Sequence, residues 1–322
     1  MYGSGQHLKL DKRNWQRTKM SFRLEIENIK SKITGKISFN ENLSKLSWFN
    51  LGGPAKVLFR PKNIQELSFF LKQMNGTNKI KVLGAGSNTL IRDGGFDGII
   101  IKFGKSFSHL SLFKSDVIIA GSSVMDKNLS NFALEHSISG FEFLSCIPGS
   151  VGGAVRMNSG CYGDEISKIL ISVQAMDIKG NLKMLRSSDI KFHYRGSDLD
   201  NKLMFISATF KGNKDIKSNI QKKNESLFRE KKNTQHLKIK TCGSTFKNSK
   251  NKKAWQLIKD SGCAGMKIGD AHISEKHCNF FINKGNAKCE DLEKLIFEVK
   301  KRVFEKTGIS LELELEIIGE KI

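Results

Sequence analysis

Two glycine-rich stretches limit what this chain can fold into. The first, Gly84-Ala85-Gly86-Ser87-Asn88, lies directly behind the apolar run Ile80-Lys81-Val82-Leu83. The second is Pro148-Gly149-Ser150-Val151-Gly152-Gly153, followed by Met157-Asn158-Ser159-Gly160-Cys161-Tyr162-Gly163. Glycine lets backbone N–H groups approach a phosphate closely, because no Cβ stands in the way. The second stretch has Arg156 as its one charge, whereas a solvated linker would be more polar. Two separated loops of this kind suit an extended, phosphate-bearing cofactor, with Gly86 and Gly152 kept small by that ligand. The plainer readings are a tight turn for the first and a buried β-rich crossing for the second. A dinucleotide fingerprint would need a third glycine and a helix next, but position 89 is threonine and turn and strand signals follow.

Around these loops the apolar pattern alternates. Ile64, Leu67, Phe70, Leu71 and Met74 recur at helical spacing behind Asn63, a good N-cap, and Ile99-Ile100-Ile101 reads as a strand. Strand signals dominate from Val117 to Phe210 (117–120, 169–176 and 204–210), with one helix near 129–136. The lysine-rich stretch 211–241 reads as a boundary followed by a charged helix over 219–232. Beyond it, Ala254, Leu257 and Ile258 predict a helix closed by Gly262. Leu292, Leu295, Ile296, Val299 and Val303 stripe a helix over 291–306 that stops at Gly308. In the closing segment Ile309, Leu311, Leu313, Leu315 and Ile317 alternate with Ser310, Glu312, Glu314 and Glu316, as in a half-buried strand with a wet acidic face.

The chain has 322 residues, 39% of them hydrophobic, which is enough for a packed core and suggests about two domains. The net charge of +22 comes largely from lysine, with only ten arginines, scattered over the whole length. That pattern reads as a solvated basic surface rather than a nucleic-acid site, which would add aromatic-interleaved basic stretches. No apolar run approaches the ~18 residues of a membrane helix. Six cysteines without a C-x-x-C pair, and no apolar segment near the start, fit reduced thiols in a cytoplasm. His272, His277 and Cys278 lack metal-ligand spacing and read as structural, so no metal is expected.

Three further stretches could carry chemistry. Tyr194-Arg195 places a fixed cation beside a phenol, and arginine is the natural bidentate partner of a carboxylate. Cys242-Gly243-Ser244-Thr245-Phe246-Lys247-Asn248 offers a hydroxyl at a glycine turn, equally readable as a simple Ser/Thr turn. Cys242 has no neighbouring histidine to make it a nucleophile.

Taken together, Leu83–Asn88, Ile147–Gly153, Gly243–Asn248, Ser274-Glu275-Lys276-His277 and Leu311-Glu312-Leu313-Glu314 resemble the UDP-N-acetylenolpyruvoylglucosamine reductase family, in its shorter second type. The resemblance runs from about Ile33 to Glu320. It implies an α+β fold: a two-lobed FAD-binding domain of the vanillyl-alcohol-oxidase type plus a C-terminal α/β substrate-binding domain. The implied boundaries are a flexible extension 1–30, FAD lobes 31–102 and 103–211, a substrate domain 212–310 and a strand 311–322 returning to the flavin. The implied activity is NADPH-dependent reduction of UDP-N-acetylglucosamine enolpyruvate to UDP-N-acetylmuramate, by a cytoplasmic monomer that binds no specific nucleic acid and no membrane. Arg195, Ser244 and Glu314 match the catalytic residues. Gly84, Ala85, Gly86, Ser87, Asn88, Pro148, Gly149, Ser150, Gly152 and Gly153 match the FAD contacts, and Tyr194, Lys232, Gln235 and Asn248 the substrate contacts. Proline is usual in the family where His236, Ser249 and Leu313 stand here. Another FAD-dependent oxidoreductase of the same fold is the alternative, and a basic nucleic-acid-binding protein a remote one.

Overall fold

A computed structural model describes residues 23–74, 79–234 and 239–322. Residues 23–30 form a helix whose Ile26 and Ile29 are buried against Leu67, Phe70 and Phe59. For residues 23–30 this corrects the expectation of a flexible extension. Two isoleucines three apart on a helix share a face, and that short signal is enough to dock the segment. Residues 1–22 of that expected extension lie outside the described residues.

The first sheet has four strands in the order Lys36–Asn42, Pro54–Arg60, Phe96–Ile101, Ile80–Val82. The first pair is antiparallel and the other two are parallel. The helix Ile64–Met74 covers one face; its Glu66 N–H is capped by the Asn63 carboxamide oxygen at 2.8 Å. Val57, Phe59, Ile99 and Ile101 point to that helix, while Leu58 and Ile100 point the opposite way, toward Leu43, Leu83 and Ile91. The carboxyl ends of the three parallel strands share one edge. Leu83 and Lys102 stand there, joined by Leu83 N–H to Ile101 O and Lys102 N–H to Phe59 O, both 2.9 Å.

The second sheet is wholly antiparallel, ordered Leu182–Arg186, Leu170–Met176, Met204–Lys211, Val117–Gly121, Leu110–Lys114. The helices Asp126–Glu135 and Val151–Arg156 and the short 3-10 turn Glu142–Cys146 close its core. The third unit packs the helices Ala254–Asp260 and Cys289–Thr307 on the sheet Lys267–Ile268, Ala271–Ile273, Phe281–Asn283. The expected stripe of the longer helix is buried in full, and Gly308 ends it at φ 70°, a left-handed conformation that glycine adopts without strain. Each such Leu, Ile or Val contributes about 1.5–3 kcal/mol of burial.

The closing alternation is only partly a strand. Leu311 and Leu315 are buried as expected, but ladder pairing is confined to Glu316–Ile318, parallel to Thr89–Ile91. Residues 311–314 lie instead along 245–247, through the single bridge Phe246 to Leu313. The segment changes partners midway, and this prevents one continuous strand.

Within the second unit, Asp126 is 1% exposed and, among the described residues, neither carboxyl oxygen has a hydrogen-bond partner. Burial pushes its pKa well above the ordinary 3.8. The folded state therefore holds this proton to higher pH than the unfolded chain does. Its contribution is fully present below pH 3.8 and is lost progressively as pH rises toward the folded pKa. Asp126→Asn cannot titrate, so unfolding in urea from pH 4 to 9 should show the variant gaining on wild type by about 1.4 kcal/mol per unit within that window. A constant difference between the two proteins would contradict the buried, protonated acid.

Candidate active site

The two glycine stretches face one another. A Cβ built on Gly84 would meet only Ser150 Oγ, at 3.1 Å, and one on Gly153 only the same atom, at 3.8 Å. The first stretch ends the strand Ile80–Val82 at the sheet's carboxyl edge. Among the described residues, the N–H groups of Ala85, Gly86, Ser87 and Asn88 meet no acceptor. Four consecutive donors left open suit an anion such as a diphosphate. The second stretch is neither a linker nor a β crossing: Val151–Arg156 is a short helix entered from Ser150. Its first N–H groups are already used, Val151 on Val124 O and Gly152 on Ser122 O, each at 2.9 Å.

Gly86 corrects one expectation. Its φ is +72°, and a Cβ would overlap the Leu46 carbonyl oxygen, so the chain itself requires glycine there. Gly152 is likewise small against Ser122, whose Cβ would lie 3.0 Å away.

Asn88 joins the first loop to the chain's end by donating from Nδ2 to the Glu314 carbonyl at 3.0 Å. Glu314 N–H donates to Thr245 O at 2.9 Å, which sets Glu314 beside the Gly243-Ser244-Thr245 turn. The Glu314 carboxylate accepts from Arg195 Nε at 3.1 Å, with the two side chains only 18% and 19% exposed. Burial raises the Glu314 pKa, opposed by the charges of Arg195 and Lys247. Glu314 therefore leaves the wet face that the alternation assigned to it. Glu312 stays outside, paired with Lys247 at 3.8 Å, and Glu316 pairs with Lys81.

Arg195 sits at the second position of the turn joining Phe192–His193 to Gly196–Ser197, with φ +57°. An arginine held there is a strained residue, of the kind that clusters at functional sites. Its guanidinium carbon is 4.8 Å from the Tyr194 ring centroid. Tyr194 OH accepts from Asn248 Nδ2 at 3.3 Å, and Asn248 Oδ1 takes the Ala254 N–H at 2.9 Å. The structure thus brings Arg195, Glu314, Asn88, Tyr194 and Asn248 together around the Ser244 turn. Cys242 is buried beneath the first loop, its Sγ 3.5 Å from Gly86 O, and burial lifts its thiol to about 12.

Lys232 is exposed and its carbonyl accepts from Lys276 Nζ at 3.0 Å, while Gln235 lies outside the described residues. The lysine that turns inward is Lys231, which donates to Cys146 O at 2.8 Å and is pushed down in pKa by burial. Cys161, itself raised to about 12 by burial, has both Arg195 and Lys231 as neighbouring cations. The helix Lys217–Thr234 contains the signal for this: Ile220, Asn224, Leu227 and Lys231 form its less exposed face.

Two asparagines that sequence reasoning passed over hold the site in place. Asn158, 0% exposed, donates to His193 O at 3.2 Å and accepts from Ser167 N–H at 2.9 Å, bracing the Arg195 turn. Asn279 accepts the N–H of Phe246 at 2.9 Å, donates to its carbonyl at 2.8 Å, and gives its own carbonyl to Thr245 N–H at 2.9 Å. Single polar residues have no periodicity, so only their partners reveal them.

Comparison with known proteins finds relatives over nearly the whole chain. Residues 55–186 match the family model of an FAD binding domain, and residues 235–318 match that of the UDP-N-acetylenolpyruvoylglucosamine reductase C-terminal domain. A protein of Pelagibacter ubique named UDP-N-acetylenolpyruvoylglucosamine reductase is 50% identical over 297 residues, 91% of this chain and 98% of its own length. One of that name from Orientia tsutsugamushi is 42% identical, covering 90% and 97% of the two chains. The crystal structure of UDP-N-acetylenolpyruvylglucosamine reductase from Thermus caldophilus superposes with a TM-score of 0.77 at 29% identity, over 89% of this chain and all of that one.

Two substitutions check the scaffold. Asn279→Ala leaves both polar groups of buried Phe246 unpaired and should cost about 2–4 kcal/mol in urea unfolding. Gly86→Ala should cost at least about 2 kcal/mol even without flavin, because the strain is internal to the chain. A Gly86→Ala protein of unchanged stability would restore the ligand as the cause of that glycine.

Proposed function

The chain belongs to the UDP-N-acetylenolpyruvoylglucosamine reductase family, and from that membership we propose how its own residues divide the reduction of UDP-N-acetylglucosamine enolpyruvate to UDP-N-acetylmuramate. The observation that carries the proposal is the Arg195–Glu314 pair at 3.1 Å, held beside the Ser244 turn and tied by Asn88 to the first glycine loop. The open N–H groups of Ala85–Asn88 and the facing Ser150 fit an FAD diphosphate. FAD held there would supply the redox chemistry, a hydride originating from NADPH for the terminal carbon of the enol ether.

The protein's part follows from charge. As the terminal carbon gains hydride, negative charge spreads from the adjacent carbon into the conjugated carboxylate. Arg195, mostly shielded from water, stabilises that charge better than an exposed cation would. Glu314 orients the guanidinium, and its raised pKa favours the protonated form that can donate to the same oxygens. Ser244 then delivers a proton to the adjacent carbon, completing the lactyl ether. A serine is a weak acid, but the carbanion-like carbon it meets is a strong base. Tyr194, Asn248, Lys232 and Gln235 bind the nucleotide sugar in this reading, with Lys231 as a further cation facing the site.

The lobes 31–102 and 103–211 bind the flavin, 212–310 the substrate, and 311–322 bridges them in this reading. The enzyme acts as a cytoplasmic monomer with a solvated basic surface; among the described residues, no helix is long and apolar enough to cross a membrane.

Ser244→Ala separates the two halves of the cycle. Flavin bleaching by NADPH in stopped flow should stay near the wild-type rate. Re-oxidation by the enolpyruvyl substrate should fall by a factor on the order of 10² or more, the usual worth of a positioned acid. Ser244→Cys should recover part of the loss. Equal slowing of both halves would mean that Ser244 shapes the pocket and gives no proton.

A further inference from the structure

The carboxyl edge of the first sheet carries two cations for which the reaction has no use. Arg60 ends the strand Pro54–Arg60, and Lys102 follows Phe96–Ile101. Phe59 and Ile101 are register partners, so Arg60 and Lys102 are neighbours across parallel strands. Side-chain alternation puts both on the face of Leu58 and Ile100, away from the covering helix. Lys102 Nζ donates to the Gly84 carbonyl, at the root of the first glycine loop. Arg60 Nη1 is buried and, among the described residues, has no hydrogen-bond partner. Among the described residues, neither side chain has an ion-pair partner. Burial and the Arg60 charge push the Lys102 ammonium down to about 8.

Two adjacent, partly buried cations without an anion beside them are unfavourable in the protein alone. The same edge presents the four N–H groups of Ala85–Asn88 that meet no acceptor. Ligands of open α/β sheets bind outside the carboxyl ends of parallel strands, where these groups stand. We propose that Arg60 and Lys102 are the charged half of a diphosphate site whose neutral half is the Ala85–Asn88 loop, and that its occupant is the FAD diphosphate. The inference rests on the FAD reading above. UDP and NADPH carry the same chemistry, so they are the other sources to be tested.

The test uses the full chain, with flavin removed and added back. Binding of FAD and of riboflavin, which has no phosphate, is followed by flavin fluorescence for wild type, Lys102→Met, Lys102→Arg and Arg60→Met. UDP and NADPH binding is followed by calorimetry. Removing one charge-assisted contact should weaken FAD by about 10–100-fold in Lys102→Met and Arg60→Met. Riboflavin, UDP and NADPH should bind as in wild type, and Lys102→Arg should restore most of the FAD affinity. Without flavin, Lys102→Met should melt at the same temperature or higher, since it removes an uncompensated charge. A lower melting temperature, or equal loss of FAD and riboflavin, would assign Lys102 to holding the Gly84 carbonyl and overturn the site. Unchanged FAD affinity, or a loss confined to UDP or NADPH, would overturn the assigned occupant. A wild-type chain that takes up no FAD would overturn the flavin reading itself, an outcome distinct from the others.

Discussion

Glu316–Ile318 pairs in parallel with Thr89–Ile91, and two residues before that pairing the Glu314 carbonyl takes a hydrogen bond from Asn88. Through these contacts the last residues of the chain are anchored to the first glycine loop, across more than two hundred residues of sequence. A net hydrogen bond is worth only about 1 kcal/mol, so the anchor depends on apolar burial beside it. Leu311 and Leu315 enter the core of the third unit, and Ile318 enters the small cluster with Leu58, Leu83 and Ile100. The segment between them is thereby stretched across the Ser244 turn. That stretch is what brings a carboxylate to Arg195.

The same geometry explains why Glu314 differs from its neighbours. Glu312, Glu314 and Glu316 share one side of an extended segment, and a periodic argument treats them alike. Only Glu314 lies where the segment changes partners, between the Thr245 carbonyl and the Asn88 carboxamide. Water is displaced there on both sides. The carboxyl is consequently pushed toward its neutral form while Arg195 pulls it toward the charged one. A group balanced in this way can exchange a hydrogen bond for a charge contact as the substrate's own charge develops.

Periodicity makes much of this legible in the sequence. The helices Ile64–Met74, Ala254–Asp260 and Cys289–Thr307 were announced by their stripes, and Gly308 by its position behind one of them. The glycine loops were legible as loops, but the cause of each glycine was not. Gly86 answers to the Leu46 carbonyl, a contact across forty residues that no local pattern encodes. Asn158, Asn279, Arg60 and Lys102 were invisible for a related reason. Each is one polar residue in an ordinary strand or loop, and its meaning lies in what the fold leaves unpaired around it. The helix over residues 23–30 is not legible in the sequence because a two-isoleucine stripe is too short to outweigh a charged context.

Where the resemblance implies proline, at positions 249 and 313, this chain shapes its loops by other means. At position 249 a ring would fix φ but remove a donor. Ser249 uses that N–H on Lys252 O at 3.1 Å, and its hydroxyl donates to the same carbonyl at 2.9 Å, so the turn closes by hydrogen bonds. Position 313 is a different case. The bonds flanking the Phe246–Leu313 bridge come from Lys247 N–H and Glu314 N–H, so position 313 is not needed as a donor. Proline is compatible there without loss of a bond. Leucine gives up the fixed φ and packs its side chain against the third core. Rigidity of the closing segment then rests on burial on one side of Leu313 and on the Thr245 carbonyl holding Glu314 on the other. With these devices in place the Glu314 carboxyl faces Arg195, which donates to it from Nε at 3.1 Å.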